Sequence, residues 1–246
     1  MAIDEALYRS VTPGSSPILR FYTWQRPTLS LGYFQDYGRV VSEPFVVHNN
    51  IDVVRRITGG RTVLHQYEVT YAVVAPLDNI FENLSLQETY RLIAEALNLA
   101  LQQLGASESS ISLDATRREF HLPQCFVAVS KYEIADGRRK VIGSAQKRSR
   151  DRFLQHGSIL LDFDARLQQG CVQRPDPEIE KKIAPLNPQL GRKLDFLEVA
   201  HHFAEAFRST LGVPWESSEL NEREWAFVAE LEKKYQSEEW TRRTCK

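Results

Sequence analysis

Three blocks of this chain bring reactive side chains together. Cys125-Phe126 places a thiol beside an apolar residue, after Pro123-Gln124. Downstream, Lys140 leads into the small-residue block Gly143-Ser144-Ala145-Gln146, across an expected hairpin from the cysteine segment. A lysine ammonium near a thiol favours the thiolate, the form that attacks an acyl carbonyl. The plainer alternatives are a cysteine acting as a small buried hydrophobe and a lysine exposed on a turn. The third block is Arg55-Arg56-Ile57-Thr58-Gly59-Gly60-Arg61-Thr62-Val63-Leu64-His65. Adjacent glycines let a backbone approach a ligand or adopt positive φ. The arginines beside them are permanently charged donors for a phosphate, carboxylate or carbonyl oxygen. The same letters also fit an ordinary Gly-Gly hairpin with solvated arginines, and they form neither a Walker loop nor a dinucleotide fingerprint. His65 and His156 each suit an acid, a base or a structural hydrogen-bonder, and no Ser-His-Asp order can be argued.

The elements that must position these residues are legible from periodicity. Met1 to Tyr8 has helical spacing. Strands are expected over 17–24, 28–33, 51–54 and 68–74, with the diglycine block between the last two. Ser85 and Glu88 form a capping box for a helix over 86–104, with Leu92, Ile93, Ala96, Leu97, Ala100 and Leu104 on one face and Gly105 as its stop. More strands are expected over 125–129, over 131–134 with 140–144 through an Asp136-Gly137 turn, and over 157–163. Leu154-Gln155-His156-Gly157-Ser158 reads as a glycine-bearing turn leading into the last of these. Residues 165–192 are proline- and charge-rich, and helices follow over 194–211, stopped by Gly212, and 218–236. The fold class is α/β (α+β), a mixed sheet flanked by helices. Residues 1–164 form the core; 165–246 form a connection and C-terminal helices of the same fold.

Composition bounds the function classes. The chain has 246 residues, 42% hydrophobic and 26% charged, which suits one soluble globular domain. A net charge of −1 argues against a general nucleic-acid binder. The basic runs Arg138-Arg139-Lys140 and Lys147 to Arg152 read as solvated loops, with a docking patch for an acidic partner as the alternative. Cys125, Cys171 and Cys245 lack the spacing of metal ligands, so no metal is expected, and Cys171 reads as incidental in a polar loop. No long apolar run and no signal peptide is visible, which leads to expectations of a reduced cytoplasmic setting and no membrane.

Taken in order, the blocks resemble the biotin/lipoate protein ligase superfamily, and within it the LipM-type octanoyl transferases of lipoate synthesis. The resemblance rests on Met1 to Leu7, Leu19 to Tyr22, Pro27 to Gln35, Arg55 to His65, Glu68 to Tyr71, Cys125-Phe126, Lys140 to Gln146 and Leu154 to Leu160. It extends to Lys234-Tyr235 and Glu239-Trp240. It implies an acyl chain held beneath the diglycine loop. It also implies that Cys125 takes octanoyl from acyl carrier protein as a thioester and passes it to a lysine of a lipoyl domain, such as glycine cleavage H protein. Lys140 would stabilise thiolate or oxyanion. Thr58, Gly59 and Gly60, with Gly143, Ser144, Ala145, His156 and Gly157, would shape the acyl site, while Arg56, Arg61 and His65 would position the carbonyl and the carrier's phosphopantetheine. No cofactor is expected, ATP and Mg²⁺ belonging only to the alternative, a lipoate-protein ligase. The enzyme is expected to act as a monomer. The family usually has a strand and loop before the Met-Ala-Ile-Asp-Glu-Ala helix. Either the true start lies upstream of Met1, or the sheet lacks an edge strand and exposes a neighbour. Gln66, Val127 and Val129 depart from the commoner aspartate, aspartate and proline.

Overall fold

The computed structural model describes residues 1–106, 109–111, 134–137 and 139–244; Cys125, Cys245, Arg138 and the strand expected over 125–129 lie outside them. After α1 (Ala2–Ser10) come β1 (Ile18–Tyr22), β2 (Thr28–Leu31), the short helices α2 (Tyr37–Val40) and α3 (Glu43–His48), β3 (Asp52–Arg55), β4 (Val63–His65) and β5 (Glu68–Pro76). Next are α4 (Leu86–Leu104), β6 (Ser109–Ile111), β7 (Ile134–Asp136), β8 (Arg139–Arg148) and β9 (Arg152–Leu160). The chain closes with α5 (Ala165–Gly170), α6 (Leu186–Leu190), α7 (Phe196–Leu211), α8 (Glu222–Gln236) and α9 (Glu238–Thr241).

Two sheets result. The larger has six strands in the order β1-β5-β9-β8-β7-β6, every pair antiparallel. The smaller has the order β3-β2-β4, with β2 parallel to β3 and antiparallel to β4. Because side chains alternate along a strand, the larger sheet has two distinct faces. On one, Tyr71, Val73, Ile142, Phe153 and Ile159 pack with Ile93, Leu97 and Ala100 of α4 and Val199, Phe203 and Phe207 of α7. On the other, Ala72, Val74 and Leu154 meet Leu7 and Tyr8 of α1. Helix α8 covers α1 in turn, through Val228 and Leu231 against Ala6. The smaller sheet has its own core of Leu29, Leu31, Val41, Val46, Leu64 and Cys171.

The local signals explain where α4 starts and stops. Ser85 Oγ accepts from the Glu88 amide and the Glu88 carboxylate accepts from the Ser85 amide, the reciprocal pair that satisfies two orphan donors. Gly105 takes φ 101°, the left-handed cap that a side chain would resist.

Several sequence expectations change. The diglycine block is not a hairpin between the strands that flank it. Residues 63–65, unrecognised as a strand, form β4, so the block links β3 to β4 on opposite sides of β2 while β5 joins the other sheet. Residues 154–158 are not a turn but the middle of β9, whose strand begins at Arg152 and ends at Leu160. The basic run from Lys147 is the β8–β9 hairpin rather than a free loop; Arg148 donates to the Leu84 carbonyl and Thr89 Oγ1, and Arg152 to the Arg9 carbonyl. Cys171 is not in a polar loop. It is fully buried at the end of α5, and burial pushes its thiol up to about 12.

Arg55 joins distant parts of the chain. Fully buried, it donates to the carbonyls of Trp240, Thr241 and Arg243 near one end, and of Gly32 and Tyr33 after β2. The Trp240 indole N–H donates back to the Arg55 carbonyl at 2.9 Å. Among the described residues no helix is long and apolar enough to cross a membrane.

Candidate active site

Register brings the chemistry together. Thr70, Ser158 and Gly143 form one rung across β5, β9 and β8, and Ala72, His156 and Ala145 form the next on the same face. That face looks toward the smaller sheet. Between them lies a narrow cleft, about 30 Å³ in volume, lined by Thr70, Gly143, Ala145, His156 and Ser158 from the large sheet and by Ser30, Arg56, Val63 and His65 from the small-sheet side. At Gly157 a Cβ would sit 2.5 Å from the Tyr71 ring and 2.6 Å from the Gly143 carbonyl, so the strand can only carry glycine there. Tyr71 OH is in turn held by Ser144 Oγ at 2.7 Å.

The diglycine loop is pinned above the cleft by its own arginine. Arg56, 3% exposed, donates to the Ser30 carbonyl and hydroxyl and to the carbonyls of Gly59 and Arg61. Gly60 has φ 90° and its Cβ position lies 3.0 Å from the Arg56 guanidinium. Across from it, a Cβ on Gly32 would lie 2.0 Å from the Gly60 carbonyl oxygen, so two glycine backbones are in contact. Gly59 differs: its φ is ordinary and its Cβ direction is open space.

Two histidines tie this loop and sheet to the larger sheet. His65 Nδ1 meets Glu68 Oε1 at 2.8 Å and its Nε2 meets Ser30 Oγ at 2.7 Å. Glu68 also accepts from Thr70 and Ser158, and the Trp24 indole stacks on His65 at 4.2 Å while donating to Thr70. The second, His156, meets Thr58 Oγ1 at 2.7 Å and has Nδ1 3.6 Å from Asp4. Burial dominates the protonation of His156 and draws its pKa below the ordinary 6.5, against the raising pull of Asp4. Burial alone would raise the Asp4 carboxyl, but His156 and Arg20 help hold it below the usual carboxylate range.

Lys140 reaches this face through an irregularity. Ile134 pairs with Ile142 and Ala135 with Lys140, leaving Val141 as a bulged residue. Val141 and Ile142 therefore both point into the α4–α7 core, and Lys140 shares the opposite face with Ala135. It is 1% exposed, so the exposed-turn alternative is excluded, whereas Arg139 is exposed.

Of the expected site residues, Arg56, His65, Gly143, Ser144, Ala145, His156 and Gly157 line one cleft. Thr58, Gly59, Gly60 and Arg61 are attached to it through His156 and Arg56, and Lys140 lies on the same face beyond its lining. Arg56 and His65 already hold Ser30, Glu68 and loop carbonyls, so their first role is to build the site. Ser30, Val63, Glu68, Thr70 and Ser158 were missed. The Glu68 signal was visible, three residues after His65; Ser30 gave none beyond strand alternation.

The chain matches the lipoyl protein ligase A/B catalytic domain family over residues 1–208. It is 35% identical to the octanoyltransferase LipM of Clostridioides difficile (strain 630), with 99% of this chain and 93% of that protein covered. It is 34% identical to the protein of the same name from Staphylococcus aureus (strain NCTC 8325 / PS 47), with 98% and 92% covered. Among solved structures, a lipoate-protein ligase A bound with ATP superposes with a TM-score of 0.81 at 29% identity, covering 98% of this chain and 92% of that one. A putative lipoate protein ligase from T. acidophilum with bound lipoic acid gives 0.80 at 28% identity, covering 98% and 91%.

Proposed function

The chain belongs to the lipoyl protein ligase A/B catalytic domain family, and on that premise we propose a two-step acyl transfer with Cys125 as nucleophile. The protein is an octanoyltransferase of lipoate biosynthesis, an acyltransferase whose partners are an acyl donor and a lipoyl-domain acceptor. We take the donor to be octanoyl-acyl carrier protein and the acceptor a lipoyl domain such as glycine cleavage H protein, met by a cytoplasmic monomer.

In the first step the Cys125 thiolate attacks the thioester carbonyl; a C–S bond forms, the carrier's C–S bond breaks, and the carrier's sulfur leaves as a thiolate, so charge balances with no proton transferred. In the second, the neutral amine of the acceptor lysine attacks, a C–N bond forms, and the Cys125 thiol departs, its proton supplied by the amine. The donor is already activated, so the reaction needs neither ATP nor metal. Both steps pass through an oxyanion that a fixed positive charge stabilises, and Lys140 is the ammonium we assign to it. The observation that supports this reading is the arrangement on one sheet face: a buried Lys140 on the face whose Gly143, Ala145 and Ser158 line the cleft under the diglycine loop.

Intact mass decides it. Incubation with octanoyl-acyl carrier protein and no acceptor is expected to yield an octanoyl adduct that Cys125→Ala abolishes. No adduct, or one that survives the substitution, overturns the transferase mechanism. Modified lipoyl domain formed from octanoate and ATP would establish a ligase instead.

A further inference from the structure

Ser30, His65 and Glu68 stand in the order and spacing of a hydrolase triad, yet Ser30 Oγ is already occupied. Arg56 Nη1 approaches it at 3.0 Å and donates into the lone pair that a nucleophile would use. The same guanidinium carries the carbonyls of Gly59 and Arg61. The four groups are therefore one chain of hydrogen bonds from a buried carboxylate to the loop over the acyl cleft. Its polarity is set at one end. A carboxylate only accepts, so the Glu68 contact at 2.8 Å places a proton on Nδ1. In the Nδ1–H tautomer Nε2 accepts from the Ser30 hydroxyl, which leaves Ser30 Oγ able to accept from Arg56.

We propose that Glu68 is a positioning residue of the transfer reaction, aiming Arg56, through His65 and Ser30, at the carbonyls that hold the diglycine loop over the bound acyl chain. The proposal rests on the transferase reading above and adds a residue that does not itself line the cleft. Every link is nearly dry: Ser30 is 0%, Arg56 3%, Glu68 5% and His65 6% exposed. Trp24 closes the outer side by stacking on His65. In such surroundings hydrogen bonds polarise one another, so removing one link weakens the rest. In Glu68→Gln a single amide oxygen replaces two carboxylate oxygens, and the His65 and Thr70 donors that share Oε1 keep an acceptor without charge.

The test is steady-state transfer from octanoyl-acyl carrier protein, with kcat and donor KM read separately, for Ser30→Ala, Glu68→Gln, their double variant and Ser30→Thr. Intact mass of the wild type follows the adduct. Each of the first two is expected to lower kcat/KM about tenfold, mainly through KM, as loss of a charge-assisted bond does. The double variant should be no worse than the more affected single, because both cut one chain. Ser30→Thr, which keeps the hydroxyl, should recover most of the loss. Imidazole ¹⁵N shifts are expected to report the Nδ1–H tautomer in the wild type. Losses that multiply in the double variant, an unchanged KM in Ser30→Ala, or an Nε2–H tautomer overturn the relay. A wild type that forms no adduct refutes the transferase reading instead.

Discussion

Replacing Gly32 by alanine tests how the diglycine loop is held. The added Cβ would be built 2.0 Å from the Gly60 carbonyl oxygen and 2.8 Å from its carbon, against backbone that has no rotamer to change. Reaching ordinary contact requires a retreat of about 1.4 Å. That movement strains the Tyr33 amide bond to the Thr58 carbonyl, 2.8 Å, and the Arg56 bond to the Gly59 carbonyl, 2.9 Å. Overpacking plus a weakened charge-assisted bond amounts to about 2 to 4 kcal/mol. For a chain of this size that is a loss of about 5 to 10 °C in Tm. Gly59→Ala is the control, since its Cβ meets nothing within 4 Å and its stability should match the wild type. Calorimetry of the two variants side by side decides the matter. Equal Tm values would refute the argument that two glycine backbones set the loop's height over the cleft.

The remaining predictions concern charge and reactivity. Lys140→Met should slow transfer at least a hundredfold while donor KM changes little, the pattern of a group acting on the oxyanion rather than on binding; a large rise in KM with kcat retained would count against it. Iodoacetamide at neutral pH should leave Cys171 unlabelled in the folded protein, because burial pushes its thiol up to about 12; peptide mass mapping reads this directly. The His156 pKa is lower folded than unfolded, so the unfolded chain binds more protons below pH 6.5 and stability falls as pH drops through that range. Denaturation midpoints of His156→Gln should show a shallower acid slope there. Burial opposes ionisation of Glu5, but bonds from Lys234, Tyr235 and Arg9 win and hold its pKa below 4.5, so it stabilises the fold above that pH and the contribution is lost as pH falls further. Glu5→Gln should therefore cost more stability at pH 7 than at pH 3, and an equal cost at both would refute the assignment.

Much of the frame was legible because its signals are local. The span of α4 follows from a capping box, a one-face apolar pattern and a glycine stop, all within a contiguous segment. β2 follows from alternation and β1 from its β-branched and aromatic residues. What stayed hidden depends on partners distant in sequence. Residues 63–65 are too few to show a period, and only pairing with β2 makes them a strand. Gly157 looks like a turn residue, yet Tyr71 and the Gly143 carbonyl, not chain reversal, require a missing side chain there. The Lys140 orientation turns on a bulge at Val141, since without it the lysine would face the α4–α7 core. Arg56, His65, Gly143, Ser144, Ala145, His156 and Gly157 line one cleft, and Arg56, expected to position a carbonyl of the substrate, holds carbonyls of the protein itself. Ser30 joins His65 and Glu68 only because β2 pairs with β4.

The Arg55 junction sets an order of assembly. Its acceptors include carbonyls 185 to 188 residues further along the chain, beyond every strand of both sheets. During synthesis the smaller sheet can pair and Arg56 can gather its carbonyls, but the neighbouring guanidinium waits for residues 240–243 to emerge. Contacts so remote close late, after the entropy of the intervening chain has been spent. The Gly32–Tyr33 backbone that Arg55 ties to residues 240–243 is thus among the last parts to lock, after Arg56 has gathered the diglycine loop.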